Sequence, residues 1–254
     1  MNMQNNTVLI TGASSGFGLE TAKLFAKQGA RLILLARRLD RLNKLALELQ
    51  EKYQTQCLSL AVDITDYSKV EEEFKKVQSF GYPDILINNA GLVKGLNKLW
   101  ETPPSDWDVM IDTNVKGILT MCRLLIPEML KKKAAQIINI GSTSGHDTYP
   151  GGSVYCSTKF AVRALSDTLR KELIETNIRV SLISPGMAKT EFSDIRFDGD
   201  KEKAEKVYEG VVPLTAEDIA EAILFVATRP EHVNIADLVI YPKAQASATM
   251  IYRK

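Results

Sequence analysis

Tyr155 and Lys159 stand four residues apart. On a helix that spacing puts both side chains on one face. A phenol ordinarily titrates near pH 10, and an ammonium within about 4–6 Å favours the phenolate. Such a pair can act as acid or base near neutral pH. Just upstream, Gly141-Ser142-Thr143-Ser144-Gly145 offers hydroxyls that can polarise the same substrate oxygen. Taken singly, a Tyr/Lys pair is common helix decoration and a serine-rich loop occurs anywhere. Their weight comes from company. Thr11-Gly12-Ala13-Ser14-Ser15-Gly16-Phe17-Gly18 joins an apolar run to an amphipathic one. Glycines let backbone turn tightly against a ligand, and the following helix N-terminus offers free N–H groups to a pyrophosphate. The spacing is G-x-x-x-G-x-G rather than G-x-G-x-x-G, and a plain tight corner is the competing reading.

Further residues of the same kind follow other apolar runs. Arg37 and Arg38 stand where a site for NAD would carry an acid to hold the ribose 2′-hydroxyl. Two guanidiniums there suit the 2′-phosphate of NADP, and a solvated charge pair at a helix start is the alternative. Asp63, before Ile64, is either a strand-end cap or an acceptor for an adenine amino group. Asn88-Asn89-Ala90-Gly91 offers small residues against which a cofactor can lie and amides that can pin strands. An Asx turn explains Asn88 equally well.

These residues need elements to hold them. Candidate strands are Thr7–Thr11, Arg31–Ala36, Cys57–Val62, Asp84–Ile87, Gln136–Ile140, Arg179–Ile183 and Leu238–Tyr241. Most are apolar at consecutive positions, which marks parallel strands buried on both faces. Helices are expected at Gly16–Gln28, Asp40–Tyr53, Ser68–Ser79, Trp107–Leu130, Ser153–Glu175 and Ala216–Thr228. Asp40, Asp66, Ser105 and Thr215 are the expected N-caps. The alternation predicts an α/β, Rossmann-type doubly wound fold, a seven-stranded parallel sheet flanked by helices. Ligands of such folds bind beyond the carboxyl ends of the strands, where every motif above falls. With no linker or repeat visible, residues 1–254 are expected to form one domain.

Composition removes other functions. Lys plus Arg number 32 and Asp plus Glu 31, so the net charge is +1. That balance argues against nucleic-acid binding, which draws on a surplus of cations. No apolar run approaches the roughly 18 residues a membrane span requires. The polar Met1–Asn6 stretch predicts no cleaved secretion signal. Three scattered cysteines and two histidines make a disulfide framework or a His/Cys metal site unexpected. A cytoplasmic location with reduced thiols follows as an expectation.

The ordered motifs resemble the short-chain dehydrogenase/reductase family along essentially the whole chain. Thr11–Gly18 looks like its TGxxxGxG loop, Asn88–Gly91 like its NNAG, and Tyr155 with Lys159 like its YxxxK. Ser142, thirteen residues before Tyr155, matches its serine, and Asn114 its helix asparagine. Pro185-Gly186 and Thr190 match its nicotinamide-contacting segment. The resemblance implies Tyr155 as acid/base, Ser142 as the residue that orients the carbonyl, and Lys159 as the group that lowers the Tyr155 pKa and holds the ribose. It implies a water-positioning backbone at Asn114. Some NADP-preferring members carry a basic residue where Ser15 stands here, which leaves NADP preference to Arg37 and Arg38.

Thr190–Phe197, Lys203–Lys206, His232–Ile235 and the Pro242–Arg253 tail are similar to the NADP-dependent 3-hydroxy acid dehydrogenases, which act on serine and allo-threonine. His146-Asp147-Thr148 departs from that pattern. The implied reaction is hydride transfer between NADP and a small 3-hydroxy acid. A 3-oxoacyl or other ketone reductase and a silent NADP-binding regulator are the alternatives. A substrate lid is expected at about 187–212. Arg196 is its candidate carboxylate partner, with His146 and Lys189 as rivals and a surface pair with Asp194 or Asp198 as the plain reading. The resemblance also implies a homotetramer joined through Trp107–Leu130, Ser153–Glu175 and the tail.

Overall fold

The computed structural model describes residues 3, 4 and 6–254. Met1, Asn2 and Asn5, part of the stretch read above for a secretion signal, lie outside the described residues. In chain order the elements are β1 (Thr7–Thr11), α1 (Gly16–Lys27), β2 (Arg31–Ala36), α2 (Leu39–Tyr53), β3 (Cys57–Ala61), α3 (Tyr67–Phe80) and β4 (Ile85–Asn88). Then come α4 (Pro104–Ile111), α5 (Gly117–Met129), β5 (Ala135–Ile140), α6 (Ser153–Glu172) and β6 (Ile178–Pro185). The chain ends with α7 (Phe192–Arg196), α8 (Lys201–Lys206), α9 (Ala216–Ala227) and β7 (Asp237–Ile240).

All seven strands form one parallel sheet in the order β3-β2-β1-β4-β5-β6-β7. The expected doubly wound fold is therefore the observed one. Consecutive apolar residues serve two cores, because successive side chains point to opposite faces. Val8, Ile10, Leu32 and Leu34 join Phe25, Leu49 and Ile223 on the face covered by α1, α2 and α9. Leu9, Ile33 and Leu35 join Val70, Leu125 and Val162 on the face covered by α3, α5 and α6. Strand order reverses between β1 and β4, so their carboxyl ends open a crevice there.

Three local expectations are corrected. The helix expected at Trp107–Leu130 is two helices joined by a π-helical turn, Asp112–Lys116. The wider turn lets the buried Asn114 amide bond sideways to Leu92 instead of facing solvent. Asp40 is not the cap of α2, which starts after Arg38. Ser105 is not the cap of α4, since Pro104 already occupies its first turn, a position proline favours. Asp66 and Thr215 do cap α3 and α9, Thr215 through a reciprocal box with Asp218.

Candidate active site

One cleft runs over the carboxyl ends of β1, β2, β4, β5 and β6, from Arg38 past Ser142 and Tyr155 to Arg196. The site residues singled out from the sequence line it, except Thr11, Ala13, Gly18, Asn88, Asn114 and Gly145, which are buried, and His146 and Lys189, which lie outside its lining. The glycine loop forms its floor at the β1 end. Gly12 has φ +68°, and a Cβ at Gly18 would stand 2.5 Å from the Gly12 carbonyl, so neither tolerates a side chain. Thr11 Oγ1 accepts from the backbone N–H of Asn89 (3.0 Å) and Ala90 (2.9 Å). Asn89 Nδ2 donates back to the Thr11 carbonyl at 2.8 Å. The loop is thus tied across the crevice. Asn88 pins strands rather than closing an Asx turn: its Nδ2 donates to Asn139 Oδ1 at 2.8 Å.

The two arginines after β2 diverge. Arg38 donates to Ser14 Oγ (3.1 and 3.3 Å) and to Ser15 Oγ (3.0 Å), which explains why Ser15 forms no side-chain cap on α1. Arg37 turns toward Asp63, 3.8 Å away, in solvent. The other Asp63 oxygen accepts from the Thr65 N–H and hydroxyl, a cap-like role. Arg41, one turn along α2, meets Glu191 at 2.9 Å, and Glu191 also reaches Arg38 at 3.3 Å. The pairing of Arg41 with Glu191 is not readable from the sequence, because 150 residues separate the partners.

At the reacting end α6 presents Tyr155 and Lys159 as the spacing predicts, both buried. Lys159 Nζ donates to the Ile140 carbonyl at 3.0 Å and lies 5.9 Å from the Tyr155 ring centroid. The expected lowering of Tyr155 is not found in this arrangement. Burial pushes its phenol above the ordinary value; the Tyr149 phenol adds to that rise, and Ser142 and Arg196 offset only part of it. The ammonium is aimed at a carbonyl rather than at the hydroxyl, and burial lowers Lys159 itself to about 8. Asn114 holds the frame. It accepts from the Leu92 N–H and donates to the Leu92 carbonyl, both at 2.8 Å, and to Thr158 Oγ1 at 3.1 Å.

The segment after β6 roofs the cleft. Met187 N–H donates to Gln245 Oε1 (2.7 Å), and Tyr208 bridges Ser193 (2.5 Å) and the Ala188 carbonyl (2.9 Å). Arg196 donates through Nη2 to the Tyr149 hydroxyl at 2.6 Å and lies 6.0 Å from the Tyr155 ring centroid. Its Nε is buried and has no acceptor. The plain surface pairing fails for Asp198, which Lys94 takes. The rivals are engaged elsewhere: Lys189 pairs with Glu205 at 2.7 Å, and His146 bonds Ser184 at 3.0 Å near Asp237. Tyr149 and Gln245 fall in stretches similar to the 3-hydroxy acid dehydrogenases, but their partners Arg196 and Met187 are 47 and 58 residues away and leave no local trace.

Fold and cleft together define a dinucleotide-binding α/β protein with a Tyr–Lys pair at its crevice. The family model "short chain dehydrogenase" matches residues 6–200, and the chain belongs to that family. It is 45% identical over 254 residues to an NADP-dependent 3-hydroxy acid dehydrogenase of Schizosaccharomyces pombe, covering 99% of this chain and 98% of the relative. It is 40% identical over 252 residues to a serine 3-dehydrogenase of Agrobacterium fabrum, covering 98% and 99%. Among solved structures, the closed form of a serine dehydrogenase complexed with NADP+ superposes with a TM-score of 0.90 at 40% identity, over 98% and 99% of the two chains. An L-sorbose reductase from Gluconobacter frateurii, complexed with NADPH and L-sorbose, gives 0.84 at 29%, over 99% of each.

Proposed function

We propose that this chain oxidises the 3-hydroxyl of small 3-hydroxy acids such as serine or allo-threonine, and runs the reverse reduction, with NADP as redox partner. The named relatives support the substrate class. The cleft fits the cofactor: glycine leaves room at its floor, and Arg37 and Arg38, with Arg41 one turn along α2, supply cations where a 2′-phosphate is read. In this reading Gly12, Ser14, Ser15, Gly16, Phe17 and Gly18 cradle the pyrophosphate, with Asp63, Ile64 and Asn89–Gly91 along the adenosine half. Pro185, Gly186 and Thr190 meet the nicotinamide. When bound, NADP supplies the hydride acceptor for the C3 hydrogen. Tyr155 takes the hydroxyl proton in oxidation and returns it in reduction. Ser142 holds the reacting oxygen toward Tyr155. Lys159 carries positive charge near the phenol and offers N–H to a ribose. Asn114, in its π turn, orders the backbone that would hold a relay water.

Arg196 carries the substrate assignment. A buried Nε–H without an acceptor costs free energy, and a substrate carboxylate would relieve it with a charge-assisted bond. Tyr149 fixes the guanidinium from the other side. Residues 187–212 then act as a lid within one catalytic domain, and the chain assembles as a homotetramer. A cytoplasmic location is part of this reading. Among the described residues no helix is long and apolar enough to cross a membrane.

Incubation with NADP and L-serine or L-allo-threonine should raise NADPH absorbance. Arg196→Gln should lower kcat/KM on serine by about ten- to hundredfold, the value of one charged hydrogen bond. An uncharged alcohol of similar size should lose little. A parallel loss on both substrates would mean a lid defect, and no loss would remove Arg196 from the site.

A further inference from the structure

The β2 end of the cleft already contains an anion. Glu191 lies within 3.3 Å of Arg38 and 2.9 Å of Arg41, at the position where a bound ribose is read. Five N–H groups belong to a guanidinium. Arg38 directs Nε and Nη2 to Ser14, Nη2 to Ser15 and Nη1 to Glu191. Arg41 Nη1 is turned onto both Glu191 oxygens, at 2.9 and 3.1 Å. An incoming phosphate therefore finds the Arg38 fork and Arg41 Nη1 engaged, with Arg41 Nε and Nη2 left open among the described residues. It also brings a charge of about −1.5 to −2 beside a carboxylate. Arg38, Arg41 and Glu191 are all close to half exposed, and an ion pair so exposed is weak enough to be displaced.

We propose that Glu191 is a specificity-determining residue, an internal anion that holds the Arg38–Arg41 site and yields it to a cofactor 2′-phosphate. The proposal rests on the NADP reading above and deepens it. A cofactor without that phosphate leaves the Glu191 pairs intact. Glu191 thus taxes NADP binding and spares NAD, so wild-type discrimination is smaller than the two arginines alone would give.

The test is titration calorimetry of wild type and Glu191→Gln with adenosine 2′,5′-bisphosphate and with 5′-AMP, so that binding is read without turnover. The variant should bind the bisphosphate about three- to tenfold more tightly, the scale of losing one weak competing pair and its repulsion. Binding of 5′-AMP should stay within about twofold. The gain should also shrink in high salt, as a charge effect does and a loosened lid does not. Unchanged or weaker bisphosphate binding overturns the proposal, as does an equal change for both probes. Wild-type protein that fails to prefer the bisphosphate over 5′-AMP overturns the NADP reading itself, a separate result read from the wild-type arm alone.

Discussion

Beneath the cleft, Asn88 donates to Asn139 and Asn139 donates to Ser166, a buried chain of hydrogen bonds from β4 through β5 to α6. Above it, Lys94–Asp198, Lys189–Glu205 and Arg41–Glu191 are largely solvent-facing ion pairs. Breaking a buried network leaves desolvated groups unpaired and costs several times what an exposed pair contributes. The floor is therefore held in one arrangement, while the roof can be opened cheaply. A hydride transfer needs both: atoms fixed below, and a cover that admits substrate and then excludes water.

The largest effect should come from the floor's reacting group. Tyr155→Phe keeps the ring and removes the transferable proton. Turnover should fall by about a thousandfold, within the usual range for lost general acid–base catalysis. Binding of adenosine 2′,5′-bisphosphate should be unchanged, as checked by calorimetry. In wild type, oxidation should accelerate as pH rises, because burial holds Tyr155 protonated and alcohol oxidation needs the phenolate. A variant that retains much of its activity would take the proton transfer away from Tyr155.

The same contrast explains what the sequence shows. Long-range bonds such as Asn88–Asn139, 51 residues apart, tie the floor together, but its elements are local in sequence or repeated in pattern: apolar strands, a glycine loop, a Tyr and Lys one helical turn apart. Each leaves a periodic or spaced trace. The roof joins Tyr149 to Arg196 and Arg41 to Glu191, pairs whose partners have no fixed separation. Arg196 is legible as a candidate because Ile195 and Phe197 flank it and set its guanidinium beside apolar surface, but its anchor is not. The π turn at Asp112–Lys116 is also invisible, since four of its five residues are polar and carry no periodic signal; in the structure its extra width goes with the Asn114–Leu92 bonds.

A second prediction weighs the floor's functional strain. Burial lowers Lys159 from 10.5 to about 8. Between those values the unfolded chain binds more protons than the folded one, so this group makes stability rise with pH. Below pH 8 the full cost of burying the ammonium is present, on the order of 3 kcal/mol. Lys159→Met removes that cost and forfeits the bond to the Ile140 carbonyl. The variant should be more stable than wild type at pH 7 by about 1–3 kcal/mol, and inactive. Urea unfolding at several pH values should show the gap closing toward pH 10.5. A gap independent of pH would show that Lys159 is not buried as a charged group at neutral pH.

The smallest effect should come from the roof. Asp198 is 77% exposed in its pair with Lys94, and its φ is +51°, in the left-handed region. Asparagine is at ease there, so Asp198→Asn removes charge without adding backbone strain. The roof keeps a second tie at this point, since the Gly95 N–H donates to the Arg196 carbonyl at 2.9 Å. Stability should therefore change by less than about 0.5 kcal/mol, the usual worth of an exposed pair. Both kcat and KM on serine should stay within about twofold. A large rise in KM at constant kcat would mean that the ion pair sets how often the lid is closed. The roof would then be as preorganised as the floor, and substrate entry would depend on breaking a specific charge contact rather than on loose closure.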